Sequence, residues 1–447
     1  MVSAAERLAS NVNFGAFSKA TELKQRIWFT LGALIVYRLG TYIPIPGIDA
    51  AVLGEIFEQQ SGGLLGMFDM FSGGALGRMT IFALNIMPYI SASIIMQLMT
   101  AISPKLEALK KEGETGRKKI NQYTRYGTVL LAAVQAYGLA VGVEGMRGPS
   151  GGAVIDPGTF FRITTVITIV GGTMFLMWLG EQITARGIGN GISLIIFAGI
   201  VANLPSALAA LFELSRTGAI SAGVIILFLL MAVGVVAGIV YMERAQRRLV
   251  VQYPKRQQGN RMYGGDSSHL PLKLNTAGVI PPIFASSLLL MPTTIAGFGG
   301  QSDSEWINLV SAYLGHGQPL YLALYIGMIV FFCFFYTAIV FNPEDTADNL
   351  KRYGGFIPGI RPGKNTAEYL DFVLTRLTVL GAGYLAAVCL LPELLISQYA
   401  VPFYFGGTSL LIVVNVTMDT VAQIQSHLLA HQYEGLIKKS KLKGRRR

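Results

Sequence analysis

Charge is what this sequence has least of. Of its 447 residues only 14% are Asp, Glu, Lys or Arg, 52% are hydrophobic, and the mean hydropathy is +0.50. A soluble chain of this length needs far more charge to cover its surface, so an integral membrane protein is indicated. Cysteine is nearly absent: Cys333 and Cys389 both fall in apolar runs, which argues against a disulfide framework. The histidines are few, and His269, His316, His427 and His431 show no metal-ligand spacing. The stretch GIRPGK (359–364) resembles a phosphate loop but fails G-x-x-x-x-G-K-[ST], because position 358 is Pro and position 365 is Asn. No enzymatic activity and no cofactor are therefore expected. The first 25 residues are too polar for a cleavable signal peptide and read as a short amphipathic segment on the membrane surface.

Long apolar runs are what the sequence does have. Ten are long enough to cross a bilayer, near 26–43, 76–101, 123–143, 159–182, 190–213, 219–242, 275–298, 319–341, 370–391 and 403–427. An even number places both termini on one side. Lys and Arg choose the side: 30 lie in the terminal segments and in the connections that share their face, against three (Arg78, Arg147 and Arg216) in the opposite loops. By the positive-inside rule both termini are cytoplasmic, and the net charge of +11 is a topology signal rather than a nucleic-acid footprint.

Span two contains PYISAS (88–93) and span seven PPIFAS (281–286), which match at four of six positions. Each is the second span of a group of five, and a shift of five spans reverses direction across the membrane. This predicts an inverted repeat, with the working pathway near the midplane at the interface of the halves. The segments expected are 1–25 (N-terminal, cytoplasmic), 26–242 (the first half plus span six), loop 243–273, 275–427 with loop 342–368, and a basic tail 428–447. Two functions fit: a secondary transporter of a small solute, or a pore. Coupled transporters keep ionisable groups at mid-depth. Here Glu181, Asp371 and Arg162 sit near span ends, and only Arg38 and Asp419 read as embedded. Asn85, Asn190, Asn275 and Asn415 are polar without charge, which favours a neutral-lined passage.

One piece fits no span. Leu64 to Phe71, between Gly62-Gly63 and Gly73-Gly74, covers roughly 12 Å at helical rise, far short of the ~30 Å hydrocarbon core. It is either an interfacial amphipathic piece or a segment folded back into the protein on a glycine swivel.

Five segments carry a family resemblance: GALGRMTIFALNIMPYISASIIMQLM (74–99), MWLGEQITARGIGNGISLIIFAGIVA (177–202), NTAGVIPPIFASSLLLMP (275–292), YGGFIPGIRPGKNTAEYL (353–370) and VPFYFGGTSLLIVVNVTMD (401–419). In order and spacing they resemble the bacterial SecY family of protein-conducting channels over essentially the full length. The resemblance implies an all-α polytopic protein, with ten spans in two inverted halves of five that close like a clamshell around an hourglass pore. It implies a plug at 64–71, sealing with Leu64, Leu65, Met67, Phe68, Met70 and Phe71. It assigns the pore ring to Ile86, Ile90, Ile192, Ile196, Ile280, Ile283 and Ile412. The residue pairs within spans two, five and seven are three or four apart and share a helix face, although isoleucine at that spacing also suits a lipid-facing surface. A lateral gate is implied at Ser91, Ser93, Gln135, Ser286, Ser287 and Met291, where ordinary small-residue packing is the alternative. Many relatives are expected to carry an aromatic where Met291 stands. In the long loops, Arg361, Arg352, Arg256 and Arg261 are implied to dock the SecA motor or ribosomal RNA phosphates, or else they serve topology alone. Further implied partners are the SecE and SecG small subunits, signal sequences and unfolded polypeptide, and lipid, at the bacterial plasma (inner) membrane.

Overall fold

The computed structural model describes residues 21–60, 69, 72–148, 151–217, 222–254, 256–258, 261–263, 267–298, 318–399 and 407–444. In chain order the helices are α1 (Thr21–Gly40), α2 (Ala50–Gln60), α3 (Met87–Ile102), α4 (Pro104–Lys111), α5 (Glu114–Gly145), α6 (Thr159–Arg186) and α7 (Gly191–Arg216). They continue with α8 (Ala222–Arg244), α9 (Ile280–Phe298), α10 (Pro319–Val340), α11 (Pro343–Arg352), α12 (Lys364–Tyr399) and α13 (Gly407–Gly444). Every expected span contains one of these helices, so the chain builds ten helical spans in two halves of five. Among the described residues, six helices are long and apolar enough to cross a membrane by length and composition; α3 and the first part of α9 are shorter. Helices dominate because a backbone in hydrocarbon must satisfy its own polar groups. Large apolar side chains such as Ile35, Leu130, Ile167, Leu227, Val233, Phe331 and Leu380 face outward, as a surface solvated by lipid tails requires.

Span two departs from the expectation of a helix from residue 76. Its first part is a string of tight turns, closed by bonds such as Met79 N to Leu76 O and Asn85 N to Phe82 O, and α3 begins only at Met87. Gly73, Gly74, Met79 and Asn85 all carry positive φ there, which a regular helix cannot absorb. The irregular backbone is tolerated because protein encloses it: Ala75, Leu76, Met79, Ala83 and Ile86 are buried. A second unforeseen element, α2, covers this stretch. Asp49 Oδ1 accepts from Ala51 N at 3.0 Å to start the helix. Its buried Val52, Leu53 and Ile56 then pack into one cluster with Leu76, Met79, Leu139 and Ile169.

On the face that carries most of the Lys and Arg, the connection after α8 forms a hairpin of β3 (Gln246–Gln252) and β6 (Ser267–Lys273), antiparallel from Gln246↔Lys273 to Gln252↔Ser267. Between them lie β4 (Arg256–Gln258) and β5 (Arg261–Tyr263). Gln252 bridges to Phe356 in the other long loop. Leu249, Leu272 and Ile357 are buried together against Leu370, Val373, Leu374 and Leu377 of α12. The two long loops are therefore one packed body standing on α12. The short β1 (Arg147–Gly148) and β2 (Gly151–Gly152) pair antiparallel between α5 and α6.

Candidate functional site

Seven isoleucines from four spans meet in one apolar cluster. Ile86 and Ile90 at the start of α3, Ile196 of α7 and Ile412 of α13 are buried; Ile192, Ile280 and Ile283 are half-buried and pack against them. Two of these helices, α3 and α7, belong to the first half, and α9 and α13 to the second. Phe82, Leu179, Ile183, Phe284, Phe332 and Val416 belong to the same cluster. Such a β-branched wall offers water no hydrogen bond, the property on which a dewetting constriction depends.

Two seams flank the cluster. At one, α9 lies against α3 and α5. Ser91 and Ser93 are half-buried on α3, and Ser286, half-buried on α9, donates to Ile283 O at 2.9 Å. Gln135 Oε1 on α5 and Ser287 Oγ on α9 are buried with no hydrogen-bond partner among the described residues. Met291 lies in α9, its side chain outside the described residues. At the other seam α13 meets α1 and the turn between α6 and α7. There Gly189 N donates to Gln423 Oε1 at 2.8 Å, and Ile188 N to Thr30 Oγ1 at 3.1 Å.

Leu64, Leu65, Met67, Phe68, Met70 and Phe71 lie outside the described residues, but the root of that segment is described. Asp69 Oδ1 accepts from Gly77 N at 2.6 Å, and Asp69 O from Gly74 N at 2.8 Å. Burial pushes the Asp69 carboxyl above its usual range, opposed by the Gly77 N–H and the Arg78 charge. Gly73 O accepts from both Arg38 Nη1 (2.7 Å) and Arg78 Nη2 (3.1 Å). Both guanidiniums lie over the Tyr42 ring, 5.0 and 4.2 Å from its centroid. Gly73 and Gly74 have left-handed backbone, as the glycine pair allows, and the Gly74 carbonyl accepts from Arg78 Nε at 2.8 Å.

Arg361 and Arg352 are exposed on the body of the two long loops. The Arg361 turn is rigid: Gly359 and Gly363 have φ of +82° and +108°, and Thr366 Oγ1 donates to Arg361 O at 3.0 Å. Arg256 and Arg261 stand in β4 and β5, their side chains outside the described residues. Of the two charges expected to be embedded, Arg38 is half-buried and bonded, and the Asp419 side chain is exposed on α13. The sequence reading missed Glu243. Counted there as the start of a loop, it is the penultimate residue of α8 and accepts from Asn275 Nδ2 at 2.6 Å. The available signal was its place at the end of the apolar run GVVAGIVYME.

This geometry is that of a multi-pass helical membrane protein, with two five-span halves meeting at an apolar cluster. The chain belongs to the SecY family: the family's sequence profile matches residues 80–421. The protein translocase subunit SecY of Rickettsia bellii is 60% identical over 433 residues, covering 97% of this chain and all (100%) of that protein. A SecY structure solved to show that its plug domain stabilises the closed channel and maintains a membrane seal shares the fold at TM-score 0.65 and 19% identity. The match covers 91% of this chain and 92% of that one. Sec61 in the canine ribosome-channel complex of the endoplasmic reticulum is similar at TM-score 0.61 and 18% identity, with the same coverage of 91% and 92%. The chain is thus a protein-conducting channel subunit of a translocase, in a family of channels rather than enzymes, and the solute-transporter alternative falls away.

Proposed function

We propose that the seven-isoleucine cluster is the waist of the pore, through which unfolded secretory chains pass and which holds ions back between substrates. The observation that carries this reading is the convergence of Ile86, Ile90, Ile192, Ile196, Ile280, Ile283 and Ile412 from both halves. Segment 64–71 is its plug, rooted at the pinned Gly73 carbonyl. Each buried CH₂ contributes about 0.8 kcal/mol, so a partly buried plug is held weakly enough for an entering chain to displace it. The α3/α5–α9 seam, with Ser91, Ser93, Gln135, Ser286, Ser287 and Met291, is the lateral gate through which transmembrane segments leave for lipid. Its unpartnered polar atoms support this, since a seam that leaves buried groups unsatisfied is cheap to open. Residues 243–273 and 342–368 form the docking body, and Arg361 and Arg352, with Arg256 and Arg261, meet acidic motor surfaces or ribosomal phosphates there. The partners are SecE, SecG, SecA and the ribosome. The membrane is the bacterial plasma membrane, with the basic face and both termini in the cytoplasm; the 30-to-three division of Lys and Arg supports that orientation.

The test is conductance of the reconstituted complex. Replacing Ile90 or Ile283 with Asn wets the waist, and the expected result is a raised resting ion leak with relaxed signal-sequence selectivity. Unchanged conductance in both would place the waist elsewhere. Deleting 64–71 should raise the leak while transport persists, and an unaltered leak removes the plug assignment.

A further inference from the structure

Glu243 is a carboxylate that the pore reading does not use, and the start of α9 is built around it. Asn275, only 4% exposed, donates one Nδ2 hydrogen bond to Glu243 Oε1 at 2.6 Å and another to Gly278 O at 3.0 Å. Gly278 has φ +64° and lies two residues before α9 begins. Leu274 N donates to Ala245 O at 3.0 Å, which fastens the same turn to the end of α8. From α13, buried Asn415 faces the carboxylate with an amide whose Nδ2 has no partner within bonding distance; Lys273 and Asp419 add their charges. From α12, Gly381 approaches so closely that a Cβ there would stand 3.1 Å from Leu274 O, and the Tyr384 hydroxyl lies within electrostatic range. Four helices of the second half thus meet at one acid.

We propose that Glu243 is a positioning residue for the gate: through Asn275 it holds the start of α9 to α8, and the closed seam depends on that hold. The proposal rests on the reading of α9 as a gate helix. Along its length α9 packs against α3 and α5 of the other half, and Ser91, Ser93, Ser286 and Ser287 lie on these helices. Its strong polar attachment is to its own half, at its start. A hydrogen bond to a carboxylate is among the stronger single contacts a protein makes, and half-buried Glu243 accepts one here, so this is the firmest hold on the start of α9.

The experiment uses the full complex in membranes, with Ser93→Cys and Ser286→Cys as a cross-linking pair across α3 and α9, with and without a signal peptide. In the parent, the peptide should lower the yield; a parent yield indifferent to it overturns the gate reading itself. Glu243→Ala should shift the resting closed-to-open ratio by about tenfold, the effect of one lost hydrogen bond to a charged group. It should also let substrates with defective signal sequences through. Asn275→Leu should do the same, which keeps the test decisive if Glu243→Ala does not accumulate. Glu243→Gln retains an oxygen for Asn275 without the charge and should fall between the parent and Glu243→Ala. A parent that responds, with Glu243→Ala and Asn275→Leu gating normally, overturns the proposal. So does Glu243→Gln failing as badly as Glu243→Ala, because the hydrogen bond survives that change.

Discussion

Where α13 crosses α1 and the α6–α7 turn, Gln423 caps the Gly189 amide, and buried Leu23, Ile188 and Leu428 pack with Ile27 and Ile424. On α5 and α9, which pack against each other, Gln135 Oε1 and Ser287 Oγ are buried with no partner among the described residues. The first seam is satisfied and the second is not. A buried polar atom without a partner costs about 1–3 kcal/mol, so the second seam stores part of the energy that opening it releases. The proposed lateral gate at the α3/α5–α9 edge, with the other edge as its hinge, rests on that difference.

Four measurements break or sharpen the comparison. The largest effect is expected from covalent bridges. Joining α3 to α9 through Ser91→Cys and Ser287→Cys should abolish membrane insertion, whereas a Leu23→Cys/Leu428→Cys bridge should leave it near the parent rate. Equal loss from both bridges would mean that both seams open. Next, Arg361→Glu should cut motor- or ribosome-driven transport severely without changing the signal-peptide response of the seam. Normal transport would reduce Arg361 to a topology charge. Gln135→Leu removes an unpartnered amide from the second seam and should stabilise its closed form by about 1–3 kcal/mol; slower signal-triggered opening is the readout, and faster opening would contradict it. The smallest effect belongs to Gln423→Leu, which leaves the Gly189 amide uncapped. It should cost about 0.5–1.5 kcal/mol, seen as a modest drop in the thermal stability of the purified complex. A destabilised α3–α9 seam in that variant would show that the two edges are not independent.

Much of the frame was legible in the residues. Hydropathy located a helix for every span, and PYISAS and PPIFAS placed Ile90 and Ile283 as counterparts, which the fold then packs into one cluster. The rigid Arg361 turn was readable from Pro358, Gly359, Pro362 and Gly363. Other features were hidden. The string of turns before α3 looked helical because its composition is apolar, and only α2 lying over it makes the irregular backbone tolerable. Glu243 looked like the first residue of a loop because its partner Asn275 is 32 residues away.

The sequence by itself determined what is additive along the chain: how many segments enter lipid, which face carries the positive charge, and where glycine and proline break the helices. Each of these is a sum over neighbouring residues and requires no knowledge of the fold. The tertiary structure alone decided which isoleucines face one another, which seam keeps its polar atoms unsatisfied, and which acid holds the start of α9. Those depend on partners far apart in the chain, and a hydrogen bond or a packed wall exists only once both sides have been brought within a few ångströms.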